Sequence, residues 1–398
     1  MVNYIKVIVL FLIIGNFTML YAKTDQDTML SQEVIKRAVV SSGDETRLYR
    51  VFEKAKRGEP VTIGVIGGSI TEGAMASFAD CKWANRVAKW WRDSFIQVKV
   101  WTLVNAGVGA TGSNIASHRV TNDLLRYNPD FVIVEFAVND FGEPDAKETL
   151  EGLLRQILKM PNHPAVLLLF TMFNDGRNVQ DIQAVLGSYY GLPMISYRDA
   201  LWPEIQAGRL KWQEIAADYV HPNDTGHRYC AELINSFLAE ALLKMPKDGG
   251  TMEIKPLPDA ITCDIYEHTS LLNYDNAKPV VNKGWQVLDG GRFGRGWVSE
   301  IPGSIIEFDV KASAVALSFF RIKRDMGMAE VQLDKNPPIK MNAHFDQTWG
   351  GYNVWQSLGR SEVKQKHRVR IKLLDEKDPN SSGHRFEINA LFLAGIKE

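Results

Sequence analysis

The sequence has few cysteines, and the ones it has lie far apart. Its 398 residues contain three of them, Cys81, Cys230 and Cys263. No Cys-x-x-Cys pair and no His/Cys spacing typical of a zinc site occurs, so the sequence does not predict a metal site. One disulfide stays open as an interpretation. The alternative is that Cys81 and Cys230 are core thiols, because both fall in predicted amphipathic helices.

The sequence also lacks an excess of either charge. There are 46 basic and 47 acidic residues, which gives a net charge of −1, and no Lys/Arg tract occurs. This balance argues against nucleic-acid binding. A hydrophobic content of 45% with 23% charged residues is typical of a soluble globular protein. The length is comfortable for two domains, and no internal repeat is present.

The most continuous apolar run stands at the start of the chain, and it is short. Lys6 is the only charged residue before Lys23, and residues 7–14 are all apolar. This run is too short to span a bilayer comfortably, and Ala22 offers a small residue for cleavage. We expect residues 1–22 to be a signal peptide. The protein is then periplasmic or secreted, without stable membrane insertion after cleavage; an uncleaved anchor is the alternative.

Strand and helix patterns alternate over residues 59–245, after a charged helical lead-in at 23–58. Apolar, β-branched strands are predicted at the run that starts at residue 61 and at 99–105, 130–137, 165–171 and 193–197. Helical patterns separate them at about 78–95, 115–127, 147–160 and 179–190, and a last one covers 224–244. This alternation predicts a three-layer α/β domain with a parallel sheet.

The pattern changes after residue 245. Residues 246–259 are rich in Pro, Gly and charge and are interpreted as a linker. Residues 260–398 contain short alternating segments separated by turn clusters, without a convincing long helix. We expect an antiparallel β-sandwich, jelly-roll-like, in this second part.

The first strand leads into residues that favour a catalytic turn. Two glycines, Gly67 and Gly68, end the apolar run, Ser69 follows them, and a helical pattern comes next. Such a strand-turn-helix arrangement lifts a serine above the carboxyl edge of an α/β sheet. The alternative is an ordinary loop whose serine caps the next helix.

Three further groups of residues follow later strands. Gly109 lies in a glycine-rich segment after the second strand, where backbone N–H groups can approach a ligand closely. Asn139 follows the third strand, and its side chain can donate to a developing oxyanion. Asp218 and His221 precede the last helix, so the aspartate can orient an imidazole that takes the serine proton. Singly, each group has a structural alternative as a turn glycine, a helix cap or a surface pair.

In this order, the four groups resemble the SGNH (GDSL-type) hydrolases, named for a serine, glycine, asparagine and histidine in four blocks. The resemblance covers about residues 60–244 and implies a flavodoxin-like α/β fold. It departs from the usual blocks at Gly68, where the family commonly has aspartate, and at Ala137, where it commonly has glycine. The resemblance implies a serine esterase with Ser69, Asp218 and His221 as the triad. It also implies an oxyanion hole built by Ser69, Gly109 and Asn139, with no metal or organic cofactor.

The substrate is inferred less directly. Export, a second β domain and several tryptophans favour acetyl esters on a polysaccharide or oligosaccharide, such as xylan, pectin or mannan. Trp202 and Trp212 precede the Asp218 loop and are candidates for stacking on a sugar, with core packing as the alternative. Trp349 in the β domain is expected in the core. A lipid or aryl esterase of the lysophospholipase or thioesterase kind and a catalytically silent glycan-binding protein are the rival interpretations. The oligomeric state is not determined by these patterns.

Overall fold

A computed structural model describes residues 30–246 and 252–396 of the chain. The predicted signal peptide therefore lies outside the described residues, as does part of the predicted linker. The helices are α1 (Gln32–Ala38), α2 (Thr46–Lys56), α3 (Ser69–Glu72), α4 (Trp83–Ser94), α5 (Ser113–Asp123), α6 (Ala146–Leu158), α7 (Gln180–Tyr189), α8 (Tyr197–Gln206), α9 (Trp212–Ile215) and α10 (Asp224–Lys244). Short 3-10 turns occur at Ala79–Cys81, Leu125–Tyr127 and Ile265–Glu267.

The strands fall into two sheets, one in each half of the chain. The first contains β1 (Val39–Ser41), β2 (Val61–Gly67), β3 (Trp101–Gly107), β4 (Phe131–Glu135), β5 (Ala165–Phe170) and β6 (Met194–Ser196). The second contains β7 (Thr269–Leu272), β8 (Val281–Lys283), β9 (Gln286–Leu288), β10 (Gly296–Ser299), β11 (Ile305–Arg321), β12 (Met328–Leu333), β13 (Ile339–Asn342), β14 (Tyr352–Leu373) and β15 (Phe386–Ala394).

The first sheet is parallel except at one edge. Its order is β1-β6-β5-β4-β2-β3, and β2 to β6 pair in parallel. Counted from β2, the parallel strands follow the order 2-1-3-4-5 of flavodoxin-like folds. Alternate residues of β4 enter different cores: Ile133 packs with α4 and α10, whereas Val132 and Val134 pack with α5 and α6. Helices therefore cover both faces, and the predicted α/β fold class is confirmed.

Within the lead-in, the charged pattern of residues 32–56 predicts one continuous helix, but the structure has two helices there. Strand β1 separates α1 from α2 and pairs antiparallel with β6 as a sixth strand. The β-branched pair Val39 and Val40 favours the strand. Gly43 then turns the chain with φ +60°, and a Cβ there would lie 2.5 Å from the carbonyl oxygen of Gly191. Only glycine fits so close to that backbone, so the helix is interrupted.

The second half is an antiparallel β domain, as predicted. Its two long strands, β11 and β14, pair along most of their length, with register shifts near Ala312 that let the sheet change direction. Trp297 of β10 contacts Phe308 of β11 with ring centroids 4.8 Å apart, although β10 is hydrogen-bonded to β9 and β15. Facing parts of the sheet thus enclose a common apolar core, which also holds Phe386 and Ile371.

The two halves share a buried interface. Ile115 of α5 packs in one apolar cluster with Leu271, Phe293 and Phe392 of the β domain. Close by, the buried Glu267 carboxylate pairs with Arg155 of α6. Losing one partner of such a buried pair is strongly destabilising because it strands a charge. The interface therefore fixes the β domain beside the helices that follow β3 and β4.

Two further observations concern the described residues as a whole. No helix in residues 30–246 and 252–396 combines the length and apolarity needed to cross a membrane. Cys81, Cys230 and Cys263 are free thiols, so they form no disulfide with one another.

Candidate active site

Strand order brings three of the four predicted blocks to one place. β2 lies between β3 and β4. Ser69 follows β2, Gly109 follows β3 and Asn139 follows β4, each within a few residues of the strand's carboxyl end. Parallel strands end at the same edge, so the glycine and the asparagine flank the serine from opposite sides.

The turn that presents Ser69 depends on close backbone packing. A Cβ on Gly67 would lie 2.1 Å from the Thr71 Oγ1, and one on Gly68 would lie 2.1 Å from the Asn139 Oδ1. Ser69 then opens helix α3, so its N–H belongs to the first turn, which has no intrahelical acceptor. A side chain at position 68 would therefore displace the Asn139 amide in this structure.

Ser69, His221 and Asp218 form one hydrogen-bonded chain. The Ser69 Oγ lies 2.8 Å from the His221 Nε2, and the His221 Nδ1 lies 2.7 Å from the Asp218 Oδ2. With the proton on Nδ1, the imidazole donates to the carboxylate and accepts from the serine hydroxyl. Asp218 and His221 lie 149 and 152 residues after Ser69 in sequence, yet the three side chains meet in the geometry that general-base activation of a hydroxyl requires.

The turn that carries Asp218 is held on several sides. Its Oδ1 accepts from the backbone N–H groups of Val220, at 2.8 Å, and His221, at 2.7 Å. The Trp212 Nε1 donates to the Asp218 carbonyl oxygen at 2.5 Å. Partial burial works to raise the pKa of Asp218, but the hydrogen bonds from the His221 ring and from the two amides outweigh it and lower the pKa. The carboxylate is therefore kept ionised beside the imidazole.

Asn139 offers a free donor next to the serine. Its Oδ1 is buried without a hydrogen-bond partner in the described residues, and its Nδ2 donates to no protein group there. Asp140, the next residue, is buried and accepts from the Ser113 N–H at 2.7 Å and from the Gln183 Nε2 at 3.0 Å. Burial raises the pKa of Asp140 to about 7. Asp140 thus ties the loop after β4 to the start of α5, which fixes Asn139 relative to the glycine-rich loop.

A second buried carboxylate holds the serine turn through Thr71 of helix α3. Glu135, at the end of β4, accepts from the Thr71 Oγ1 at 3.1 Å and from the Thr171 Oγ1 at 2.6 Å. Burial raises the pKa of Glu135 to about 7, against the lowering effect of the two hydroxyl bonds. No sequence pattern indicated this role, because Glu135 lies within an otherwise apolar strand.

Gly109 lies beside Ser69, but its N–H is occupied. The N–H donates to the Glu72 Oε2 at 2.9 Å. A Cβ on Gly109 would lie 3.1 Å from that oxygen and 3.8 Å from the Ser69 Cβ. The next residue, Ala110, has φ +54°, a left-handed conformation that is strained for alanine and recurs at functional loops. The structure therefore brings Gly109 next to Ser69, and sequence reasoning missed the Glu72 carboxylate on its N–H.

The predicted sugar-stacking tryptophans contact the protein. Trp202 packs against the first core and lies over Gly176, where an added Cβ would meet its ring at 2.5 Å. Trp212 packs on the same core and supports the Asp218 turn. Their stacking on a sugar stays a prediction. The expectation that Trp349 lies in the core is wrong, because its side chain is 60% exposed.

Three other aromatic side chains contact one another in a row that begins at Tyr219, next to Asp218. Tyr219 sits between Asp218 and His221 in sequence and is 62% exposed. Its ring is nearly parallel to that of Phe173, with centroids 6.3 Å apart, and Phe173 meets Phe141 edge to face at 5.8 Å. We name these three residues the aromatic wall. The sequence signal was a tyrosine inside the Asp-x-x-His turn, where polar residues would be expected at an exposed position.

The described residues contain no group of three His, Cys, Asp or Glu side chains arranged to hold a metal ion. The polar groups beside Ser69 are instead those of an acyl-transfer site: a hydroxyl, a base with its carboxylate, and amide donors.

Comparison with known proteins agrees with this geometry. Residues 65–229 match the model of the GDSL-like Lipase/Acylhydrolase family. A solved two-domain esterase active on acetylated mannans is 30% identical and superposes with a TM-score of 0.85, covering 91% of this chain and 99% of that one. The same type of esterase co-crystallized with mannopentaose gives 30% identity and a TM-score of 0.84 over 92% of this chain and 98% of that one. No curated protein sequence matches the chain.

The likeness to these esterases covers both domains, so the β domain belongs to the common architecture. Together with the family match and the Ser69 geometry, it identifies the chemistry as ester hydrolysis. The chain belongs to the GDSL-like lipase/acylhydrolase family and is a carboxylic ester hydrolase with a second, β-sheet domain.

Proposed function

We propose that the protein removes acetyl groups from a mannan-type glycan through an acyl-enzyme on Ser69. The observation that carries this proposal is the hydrogen-bonded chain from Ser69 through His221 to Asp218, with links of 2.8 and 2.7 Å. The glycan is inferred from the solved two-domain esterase, which is described as active on acetylated mannans.

The first half-reaction forms the acyl-enzyme. The Ser69 Oγ attacks the acetyl carbonyl carbon as its proton passes to the His221 Nε2, and the carbonyl electron pair moves onto the oxygen. Asp218 stabilises the imidazolium that results. The tetrahedral intermediate then collapses, the bond to the sugar oxygen breaks, and the imidazolium returns its proton to that oxygen. The deacetylated sugar hydroxyl leaves.

The second half-reaction repeats these steps with water. His221 takes a proton from water as the hydroxide attacks the acetyl carbon, and collapse expels the Ser69 oxygen, which regains the proton. In both halves the oxyanion is held by the Ser69 and Gly109 amides and the Asn139 side chain. Each such donor lowers the barrier by about 3 kcal/mol in measured cases.

The aromatic wall supports a sugar as the alcohol part of the ester. Tyr219 is exposed next to Asp218, and its ring stacks on Phe173, which in turn contacts Phe141. Pyranose rings carry apolar C–H faces that pack on such rings while their hydroxyls stay solvated. An open aromatic surface of this kind suits a glycan, whereas a long acyl chain would need an enclosed apolar channel.

A panel of esters tests the proposal. Acetate release is measured from acetylated mannooligosaccharides and xylooligosaccharides, together with hydrolysis of p-nitrophenyl acetate and octanoate, with Ser69→Ala as the inactive control. We expect the highest kcat/KM on the mannooligosaccharides and faster hydrolysis of acetyl than octanoyl esters. A steady rise with acyl length would favour the lipid or aryl esterase, and Ser69-independent binding without turnover would favour the glycan-binding protein.

We also propose that the protein is exported, on the basis of the apolar run and the small residue Ala22 in residues 1–22. N-terminal sequencing of the protein recovered outside the cytoplasm tests this. A mature chain that begins just after residue 22 is the expected result, and an intact Met1 in the membrane fraction would contradict it.

A further inference from the structure

The Glu72 carboxylate accepts a hydrogen bond from the backbone N–H that is expected to donate to the oxyanion. Glu72 ends helix α3, one turn after Ser69, and its Oε2 accepts from the Gly109 N–H at 2.9 Å. This distance is that of an oxyanion bound to its donor. The carboxylate oxygen, the Gly109 amide and the Ser69 Cβ all border the same space.

An arginine of the β domain faces the other oxygen of this carboxylate. The Arg292 Nη2 lies 3.7 Å from the Glu72 Oε1 and donates to the Gly107 carbonyl oxygen at 3.1 Å. The neighbouring Phe293 is buried in the interdomain cluster with Ile115 and Phe392. Arg292 is therefore placed by the domain interface and not by the α/β domain alone.

The backbone of Glu72 is fixed, while its side chain has room to turn. Its N–H donates to the Gly68 carbonyl at 3.0 Å, and its own carbonyl accepts from the Lys82 Nζ at 2.9 Å. The Glu72 and Arg292 side chains are 45% and 44% exposed. A rotation about the Glu72 side-chain bonds can close the 3.7 Å gap to the guanidinium without moving helix α3.

A carboxylate and an oxyanion cannot share the Gly109 N–H, since both are negative and both need that proton. We propose that Glu72 is an internal occupant of the oxyanion site, which the substrate displaces, and that Arg292 receives the displaced carboxylate. This inference rests on the proposed function, in which Gly109 is an oxyanion donor. It makes the Glu72–Arg292 pair a specificity-determining element for the esterase.

As a consequence, the enzyme favours substrates that contact it through other groups besides the acetyl group. Displacing Glu72 breaks a charge-assisted hydrogen bond, so part of the binding free energy of the substrate is used for that displacement. An acetylated oligosaccharide gains contacts with its sugar rings. A small ester such as p-nitrophenyl acetate gains few, so its turnover is held back more.

Kinetics of Glu72 variants test this directly. We expect Glu72→Ala to raise kcat/KM on p-nitrophenyl acetate about tenfold, which corresponds to about 1.4 kcal/mol. The gain in kcat/KM on an acetylated mannooligosaccharide is smaller. The kcat/KM of Glu72→Gln lies between those of the wild type and Glu72→Ala, because the amide oxygen of glutamine still accepts a hydrogen bond but carries no charge. The inhibition constant of phenylboronic acid, whose serine adduct places an oxygen in the oxyanion site, falls by a similar factor in Glu72→Ala. A purely structural role would not tighten this inhibitor.

A double-mutant cycle tests the part of Arg292. We expect Arg292→Met to lower kcat/KM several-fold when Glu72 is present and to have little effect in the Glu72→Ala background. An equal loss in both backgrounds would overturn the receiving role. Asp93→Ala, which removes an exposed carboxylate that pairs with Lys89 on α4, is the control for charge and should match the wild type.

The outcomes separate this inference from the proposed function. If turnover depends on Ser69 but Glu72→Ala is slower than wild type on both esters and binds phenylboronic acid no better, Glu72 is needed in place and the inference is wrong. Thermal unfolding of Glu72→Ala accompanies these assays, and Glu72→Gln keeps the test valid if the alanine variant unfolds. If turnover does not depend on Ser69, the proposed function itself fails.

Discussion

Replacement of Asp218 by asparagine tests how the imidazole is held. In the structure the Asp218 Oδ2 lies 2.7 Å from the His221 Nδ1, and its Oδ1 accepts from the Val220 and His221 amides at 2.8 and 2.7 Å. An asparagine of the same shape keeps the two turn bonds with its oxygen. Its NH2 group then faces Nδ1, where the aspartate presented an acceptor.

The predicted loss follows from the tautomer. An NH2 donor facing Nδ1 favours the imidazole with its proton on Nε2, the atom that must accept from the Ser69 hydroxyl. The same substitution in a serine protease triad lowers kcat about 10⁴-fold, so we expect a loss of 10³- to 10⁴-fold for Asp218→Asn. Because the Asp218 side chain is 33% exposed, its hydrogen bond to His221 contributes little to stability, about 1 kcal/mol or less.

The assay combines steady-state hydrolysis of p-nitrophenyl acetate with thermal unfolding. Asp224→Asn is the matched control: it is the same chemical change in a carboxylate that accepts from the Ser77 amide at 2.8 Å and does not contact His221. We expect the control to keep nearly full kcat. An Asp218→Asn variant within tenfold of wild-type kcat, at every pH tested, would refute the orientation of His221 by Asp218.

Three further predictions follow from the same site. Ser69→Ala and His221→Ala each abolish nearly all turnover, and the double variant loses no more, since the pair acts as a unit; additive losses in kcat would contradict this. Gly68→Ala pushes the Asn139 amide out of the space it fills and lowers kcat about 10²-fold with little change in KM; an unchanged kcat would remove Asn139 from the oxyanion hole. Burial raises the pKa of Glu135 to about 7, so the unfolded chain releases its proton at lower pH than the folded one. The free energy of unfolding should therefore fall by up to about 3 kcal/mol between pH 4.5 and 7. In urea unfolding, Glu135→Gln should lack this part of the pH dependence.

The sequence alone determined the fold class of the first domain, and it predicted the residues of the proposed triad. Buried parallel strands are apolar along their whole length, so periodicity located β2, β4 and β5 closely. Each catalytic candidate directly follows a strand or precedes α10, and parallel strands bring their carboxyl ends together. Local pattern therefore sufficed to place Ser69, Gly109 and Asn139 at one edge.

Local patterns were less reliable where neighbouring signals compete. The start of the helical pattern at residue 224 predicts Asp224 or Thr225 as the N-cap of α10, but the Asn223 side chain accepts from the Gly226 N–H at 3.1 Å and caps the helix. All three residue types are good caps, and only the backbone path into the helix selects one. The interruption of the lead-in by β1 has a similar origin, because the edge of β6 provides the partner that stabilises a short strand.

The contacts between the domains were decided by the tertiary structure alone. Arg292 reaches the Gly107 carbonyl across 185 positions of sequence, and the Arg155–Glu267 pair spans 112. In the sequence, a charged residue with a distant partner cannot be told from a solvated one. The hydrophobic periodicity around it reports only on its own helix or strand. The state of the Gly109 amide likewise depends on where the Glu72 side chain points. Hydrophobic patterning fixes which face of each strand or helix is buried, whereas the polar partners across the interface emerge only from the packing of whole domains.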